Sequence, residues 1–185
     1  MPLQSGSDAV LKRMARRCTS ADFARLAEQA RARIADVNLT TDIIVGFPGE
    51  TETDWQATLD VVERIDFGHI HVFAYSARAG TAAARMRGPV DRATQQRRTR
   101  ELHERGRRLR RATLARFLDR TFPVLWESRP ERLADGRLRY FGYTPNYLRV
   151  AAAAPADARL ARSVRAARLT GIADSGDHAL AELLG

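Results

Sequence analysis

The segment Thr41-Asp42-Ile43-Ile44-Val45-Gly46-Phe47-Pro48-Gly49-Glu50 carries the strongest local chemical signal in the chain. It sets flexible backbone where an apolar, β-branched run gives way to helical periodicity. In parallel α/β folds that is where ligands bind, because amides at the strand's carboxyl end and the next helix's amino end point into one crevice. Gly46 and Gly49 allow the backbone to approach a ligand closely. Asp42 reads as a site carboxylate or as a hydrogen-bonding partner at the strand end. Taken alone, Gly-Phe-Pro-Gly reads equally as a plain turn.

Other residues offer weaker chemistry. Cys18 is the only cysteine, which excludes an internal disulfide and leaves too few thiolates for an iron–sulfur cluster or a structural zinc. Beside a helix it reads as an inert small residue, and His69 and His71 read as strand residues rather than metal ligands. Arg97, Arg98, Arg100, Arg105, Arg107, Arg108, Arg110 and Arg111 would attract phosphates, or form a solvated helix surface partly paired with Glu101 and Glu104. In the tail, Arg139, Tyr140, Tyr143, Tyr147 and Arg149 interleave aromatic and cationic groups, a pattern suited to base stacking with phosphate contact and also, for some tyrosines, to core packing.

The elements that must position these residues follow from periodicity. Met1 to Ser7 reads as a strand end running into a Gly/Ser turn. Phe23, Leu26, Ala27, Ala30 and Ile34 predict a helix from Ser20 to about Ala35, capped by Thr19 or Ser20. Leu39 to Val45 reads as a strand buried on both faces. Thr51 or Thr53 caps a helix with a Trp55, Leu59, Val62 and Ile65 stripe that ends near Asp66-Phe67-Gly68. His69 to Ser76 alternates as a strand, and the order helix, strand, helix, strand implies parallel pairing with right-handed crossovers. A loop over Arg78 to Pro89 leads to a long helix from about Asp91 to Leu118, with Leu102, Leu109, Leu114 and Phe117 as its sparse stripe. After Asp119, short β-like runs at Phe122–Glu127, Leu138–Tyr143, Tyr147–Ala152 and Ala166–Ile172 suggest a small barrel.

Composition bounds the class. The apolar fraction of 44% suits a folded core. The formal charge is +9, with 31 Lys and Arg against 22 Asp and Glu, and Lys12 is the only lysine. A GC-rich genome explains arginine in place of lysine but not the excess of positive charge, which favours RNA or DNA as partner ahead of a membrane surface. No apolar run nears the roughly 18 residues a membrane helix needs, and the amino terminus lacks a signal-peptide pattern. The expectation is a cytoplasmic protein without a membrane partner.

Three segments in order resemble radical-SAM tRNA methylthiotransferases. They are Pro2-Leu3-Gln4-Ser5-Gly6-Ser7 with Leu11-Lys12-Arg13-Met14, then Thr41 through Glu50, then His69-Ile70-His71-Val72-Phe73-Ala74-Tyr75-Ser76-Ala77-Arg78-Ala79-Gly80-Thr81. The His-Ile-His-Val-Phe wording is most similar to the branch that modifies threonylcarbamoyladenosine beside the anticodon. The tail, best at Gly142-Tyr143-Thr144-Pro145-Asn146-Tyr147, resembles a TRAM domain. Two departures are Cys18, where the family usually has an aromatic residue, and Ala74, where a proline is common; both fit relaxed constraint.

The resemblance implies an α/β chain. Residues 1–118 would form the C-terminal part of a parallel (β/α) partial barrel of radical-SAM type with its basic helix. Residues 119–185 would form a small all-β, OB-like TRAM barrel that binds RNA. It implies S-adenosylmethionine as cofactor, reductively cleaved to a 5′-deoxyadenosyl radical that starts sulfur insertion into adenine before methyl transfer. In this family [4Fe-4S] clusters are held by cysteines this chain lacks, so a methylthiotransferase segment inactive alone is expected, with tRNA and a separately encoded N-terminal half bearing the cysteines as partners. By the same resemblance Gln4, Ser5, Arg16, Asp42, Gly46, Phe47, Glu50, Phe73, Tyr75 and Ser76 bind the cofactor, Arg16 holding the methionine carboxylate. Arg16 also reads as a solvated helix arginine. Arg139, Tyr143, Tyr147 and Arg149 would bind RNA. The competing expectations are a stand-alone RNA-binding module and a decayed fragment without catalysis, and half a parallel barrel with an unpaired edge predicts self-association.

Overall fold

The computed structural model describes residues 2–184; Met1 of the expected strand end and Gly185 of the expected barrel lie outside the described residues. The chain divides into two compact units, Met1–Leu109 and Arg110–Gly185.

The first unit is α/β. Its opening segment lies beside β1 (Thr40–Val45) in parallel, with the Gln4 amide donating to Asp42 O and the Ile44 amide to Gln4 O. Ser7 then caps a short helix, α1 (Asp8–Arg13), that periodicity did not reveal because two apolar residues cannot define a stripe. Helix α2 (Ser20–Arg33) starts at Thr19, whose hydroxyl and Asp22 form a reciprocal capping box. Helix α3 (Glu52–Ile65) repeats that device with Thr51 and Asp54, and it stops at Asp66 in the left-handed region.

Strand β2 (His69–Ala74) pairs in parallel with β1 from Thr40 opposite His69 to Val45 opposite Ala74. Trp55, Leu59, Val62 and Ile65 of α3 pack against β1 and β2 through Ile43, Val45 and Ile70, with Phe23 and Ala27 of α2 completing the core. Leu39–Val45 was expected to be buried on both faces. It instead alternates, with Thr41, Ile43 and Val45 buried and Thr40, Asp42 and Ile44 half-buried, because the second face is a cavity wall. After a loop with a single 3-10 turn at Ala83–Arg85 comes α4 (Arg92–Ala115), whose Leu102 and Leu109 join this core.

In the second unit Leu114 and Phe117 enter a separate core. Strands β3 (Thr121–Trp126), β5 (Leu138–Tyr143), β6 (Arg149–Ala154), β7 (Val164–Ile172) and β8 (Ala179–Leu183) close a ring, β3 pairing with both β5 and β7, and the two-residue β4 (Glu131–Arg132) adds to β5. Every neighbour in the ring is antiparallel except β6 and β8. Phe122, Val124 and Trp126 alternate inward on β3. Gly142 closes the seam, since a Cβ there would lie 2.6 Å from Leu125 O. The run expected from Tyr147 begins at Arg149, because Tyr147 sits at φ +61° in the preceding turn. Among the described residues no helix is long and apolar enough to cross a membrane.

Candidate functional site

At the carboxyl ends of β1 and β2 lies a cavity of about 420 Å³, within the range of small-ligand sites. Gln4, Asp42, Phe47, Phe73, Tyr75 and Ser76 line it together with Ile44, Ala74, Arg78, Thr81 and Ala83. Six residues named from three distant stretches of sequence therefore share one wall. Phe47 and Tyr75 meet edge to face, with centroids 5.3 Å apart. Gln4 holds φ +73°, a left-handed backbone conformation that a side chain seldom adopts.

The other four candidates do not line it. Ser5 is fully buried, its hydroxyl 3.2 Å from that of Thr58 and accepting the Ser7 amide. Arg16 is exposed and outside the cavity. Gly46 and Glu50 stand behind the wall: the Gly46 amide donates to Glu50 Oε2 at 2.8 Å. Burial pushes the Glu50 carboxyl up, opposed by that amide and by the Arg98 guanidinium.

Gly46 and Gly49 were expected to leave room for a ligand; the room is taken by protein. At Gly46 (φ +78°) a Cβ would fall 2.8 Å from the Gln95 side chain. The Gly49 amide donates to Gly88 O at 2.6 Å, and Gly49 O accepts Arg13 Nη2. In this bend and at the α3 amino end, the amides of Gly46, Glu50, Gly49 and Asp54 are satisfied internally, by Glu50 Oε2, Phe47 O, Gly88 O and Thr51 Oγ1 respectively.

Helix α4 supplies the brace that sequence reasoning missed. Gln95 Nε2 donates to Tyr75 O at 3.0 Å and to Val45 O at 3.3 Å, tying the ends of β1 and β2. Arg98, 3% exposed, donates to Glu50 Oε2 at 2.8 Å and to Glu52 Oε2 at 2.9 Å. The only signal in sequence was their (i, i+3) spacing on a helix otherwise read as solvated. The arginine surface of α4 is paired with Glu101, as expected, through Arg105 at 3.2 Å and Arg97 at 3.9 Å, and in addition with α3: Arg97 meets Glu52, and Arg105 and Arg108 meet Glu63. Hydrogen bonds from Arg98 and then Arg97 hold Glu52, and from Arg108 and then Arg105 hold Glu63, below the ordinary glutamate value.

In the barrel, Arg139, Phe141 and Tyr143 of β5 share the outward face, and Arg149 is the register partner of Tyr143. Tyr147, 77% exposed, lies 6.0 Å from Tyr143. Arg139 reaches Glu131 at 3.7 Å. Arg149 covers Phe141 at 4.8 Å, whose edge meets His178 at 5.3 Å. Phe141 and His178 are additions to the expected set. Tyr140 is instead core, its hydroxyl donating to Ala158 O. Cys18 is exposed, and no group of three His, Cys, Asp or Glu able to hold a metal occurs among the described residues. The one cysteine does not fit the three thiolates of a family [4Fe-4S] site.

The model of the radical SAM superfamily matches residues 1–62. The threonylcarbamoyladenosine tRNA methylthiotransferase MtaB of Thermotoga maritima is 52% identical over 88 residues, 48% of this chain and 20% of that protein. The tRNA-2-methylthio-N(6)-dimethylallyladenosine synthases of Corynebacterium efficiens and Corynebacterium jeikeium are 44% and 43% identical over 77% and 76% of this chain, and 27% and 30% of their own lengths. The chain thus spans less than a third of the curated relatives it matches. On the motifs, the cavity and these relatives together, the chain is similar to part of the radical-SAM tRNA methylthiotransferases, with residues 1–62 matching the radical SAM superfamily.

Proposed function

We propose that the chain is the adenosyl- and tRNA-binding part of a methylthiotransferase acting in the cytoplasm on threonylcarbamoyladenosine next to the anticodon. The observation that carries this is the single cavity at the ends of β1 and β2, where Gln4, Asp42, Phe47, Phe73, Tyr75 and Ser76 converge. Phe47 and Tyr75 offer apolar faces to an adenosyl group, while Gln4, Asp42 and Ser76 offer polar ones. S-adenosylmethionine, when bound, supplies the methyl group and the adenosyl chemistry. The chain's own residues bind it, orient it and exclude water. Ser5, Gly46, Glu50, Gln95 and Arg98 shape the wall from behind.

The second unit is read as an OB-like TRAM barrel. In chain order its five ring strands pair first with second, second with third, third with fifth, fifth with fourth and fourth with first, the Greek-key pattern of a five-stranded oligonucleotide-binding barrel. Arg139, Tyr143, Tyr147 and Arg149, with Phe141, would stack bases and meet phosphates on its β5–β6 face. The cluster cysteines must come from residues outside these 185, on the same or a second polypeptide, so the chain is inactive by itself. The test is nucleoside mass spectrometry of tRNA incubated with the chain, alone or with a cysteine-bearing family amino-terminal half. Methylthiolated threonylcarbamoyladenosine is expected only with both. Product on isopentenyladenosine instead, or none with both halves and reductant present, would overturn the reading.

A further inference from the structure

The face of the β1–β2 sheet that walls the cavity continues beyond it. On β2, Ile70 is buried and Val72 packs on the core, so His69, His71 and Phe73 share the other face, and Phe73 lines the cavity. On β1, Thr40, Asp42 and Ile44 share that face, and Asp42 and Ile44 line the cavity. The parallel register sets Ile44 beside Phe73, Asp42 beside His71 and Thr40 beside His69. One surface therefore runs from an apolar pair at the cavity to two polar pairs next to it. The rings of His69 and His71 meet edge to face with centroids 4.3 Å apart, so each imidazole limits the other's rotation. His71 is exposed.

Relatives named for threonylcarbamoyladenosine and for dimethylallyladenosine match this chain at 52% and 44% identity, so overall likeness does not separate the two substrates and local side chains must. The two groups differ in chemistry: dimethylallyl is a hydrocarbon, whereas threonylcarbamoyl carries a carboxylate and a hydroxyl. A hydrocarbon laid on His71 and Asp42 would take polar atoms out of water and return no hydrogen bond. A site that hydrogen-bonds its substrate rejects an analogue lacking those groups. We propose that His71 selects the threonylcarbamoyl group by donating an imidazole N–H to its carboxylate, while Asp42, which borders both His71 and the cavity, accepts from its hydroxyl. His69 is a positioning residue that holds the His71 ring. The assignment rests on the substrate reading above and deepens it, and it concerns the modified base rather than the cofactor.

The test is binding of the full chain to anticodon stem-loop RNAs that differ only in the group on the adenine N6. The three groups are threonylcarbamoyl, its carboxyl methyl ester and dimethylallyl, so every other contact is common to the probes. Threonylcarbamoyl is expected to bind about tenfold or more tighter than either of the others, the scale of a hydrogen bond to a charged group. His71→Leu should erase that preference, and His71→Gln, which keeps an N–H donor, should retain part of it. His69→Phe should retain more of it than His69→Ala; equal losses in the two would overturn the positioning role. Equal binding of the three RNAs by the unaltered chain, a preference that survives His71→Leu, or an ester bound as well as the acid overturns the proposal. Methylthiolation that still falls on threonylcarbamoyladenosine in the two-half assay would then leave the substrate reading standing. A preference for dimethylallyl overturns both, and no binding of any stem-loop overturns the RNA reading as well.

Discussion

Behind the cavity wall of the first unit the polar side chains are bound within the protein, whereas on the barrel they face outward. Behind that wall Glu50 holds the Gly46 amide and Arg98 at 2.8 Å each, and Gln95 beside them bonds Val45 O at 3.3 Å and Tyr75 O at 3.0 Å. On β5, β6 and the turn between them, Arg139, Tyr143, Tyr147 and Arg149 make few such contacts. A buried set of this kind fixes geometry, and losing one member strands the others. An exposed set leaves stability nearly untouched while governing what binds. The contrast teaches that the same residue types, arginine above all, brace one unit and, in the function proposed above, serve recognition in the other.

The largest expected break in that contrast is Arg98→Leu. It leaves Glu50 buried beside no cation, and losses of this type run to about 3–5 kcal/mol. Urea unfolding would read it, and Glu50→Gln in the same chain should recover part of the loss. A loss comparable to that of a surface arginine would mean that the brace is idle. Gly46→Ala comes next, because φ +78° disfavours any Cβ and Gln95 must also shift. The backbone term alone is about 1–2 kcal/mol, and adenosyl binding should weaken along with stability. Gln95→Ala in the Gly46→Ala background should relieve only the steric share.

A smaller effect concerns pH. Burial raises Glu50 in the folded chain, so its contribution to stability is present below the ordinary glutamate value of 4.5 and is lost as pH rises through the raised value. Glu52, Asp54 and Glu63 are lowered and act oppositely, contributing above their ordinary values and losing that contribution as pH falls. Stability measured across this range should gain a steeper upward slope with pH in Glu50→Gln, since the opposing group is gone. An unchanged slope would contradict the burial argument. The smallest effect on stability belongs to the barrel: Tyr143→Ala with Arg149→Ala should keep the melting temperature within the scatter of surface substitutions. The same pair should weaken tRNA binding and flatten its salt dependence. A fall in melting temperature without loss of RNA binding would put those residues with the braced set instead.

Much of this was legible in sequence where periodicity and caps are strong. The Trp55, Leu59, Val62 and Ile65 stripe and the Thr51 cap define α3, and alternation defines β2 and its parallel pairing with β1. Strand β8 was not legible, because Ala179-Leu180-Ala181-Glu182-Leu183 favours helix and is a strand only through its pairing with β6 and β7. Two residues are too short a run for β4 to be seen at all. Within the cavity, the lining could be named from motif residues, but the roles of Gly46 and Glu50 could not. Both depend on Gln95 and Arg98, about 50 residues further on, and a sequence pattern says nothing about which side chains on a polar helix turn inward.

Adenosyl recognition at the ends of β1 and β2 is tested most directly by nuclear magnetic resonance of the isotope-labelled chain titrated with S-adenosylhomocysteine. The predicted result is saturable shifts of the Gln4, Ile44, Phe47, Tyr75 and Ser76 amides along one binding curve, with the barrel amides still. Shifts confined to β5 and β6, or no saturable shift in the first unit, would contradict it.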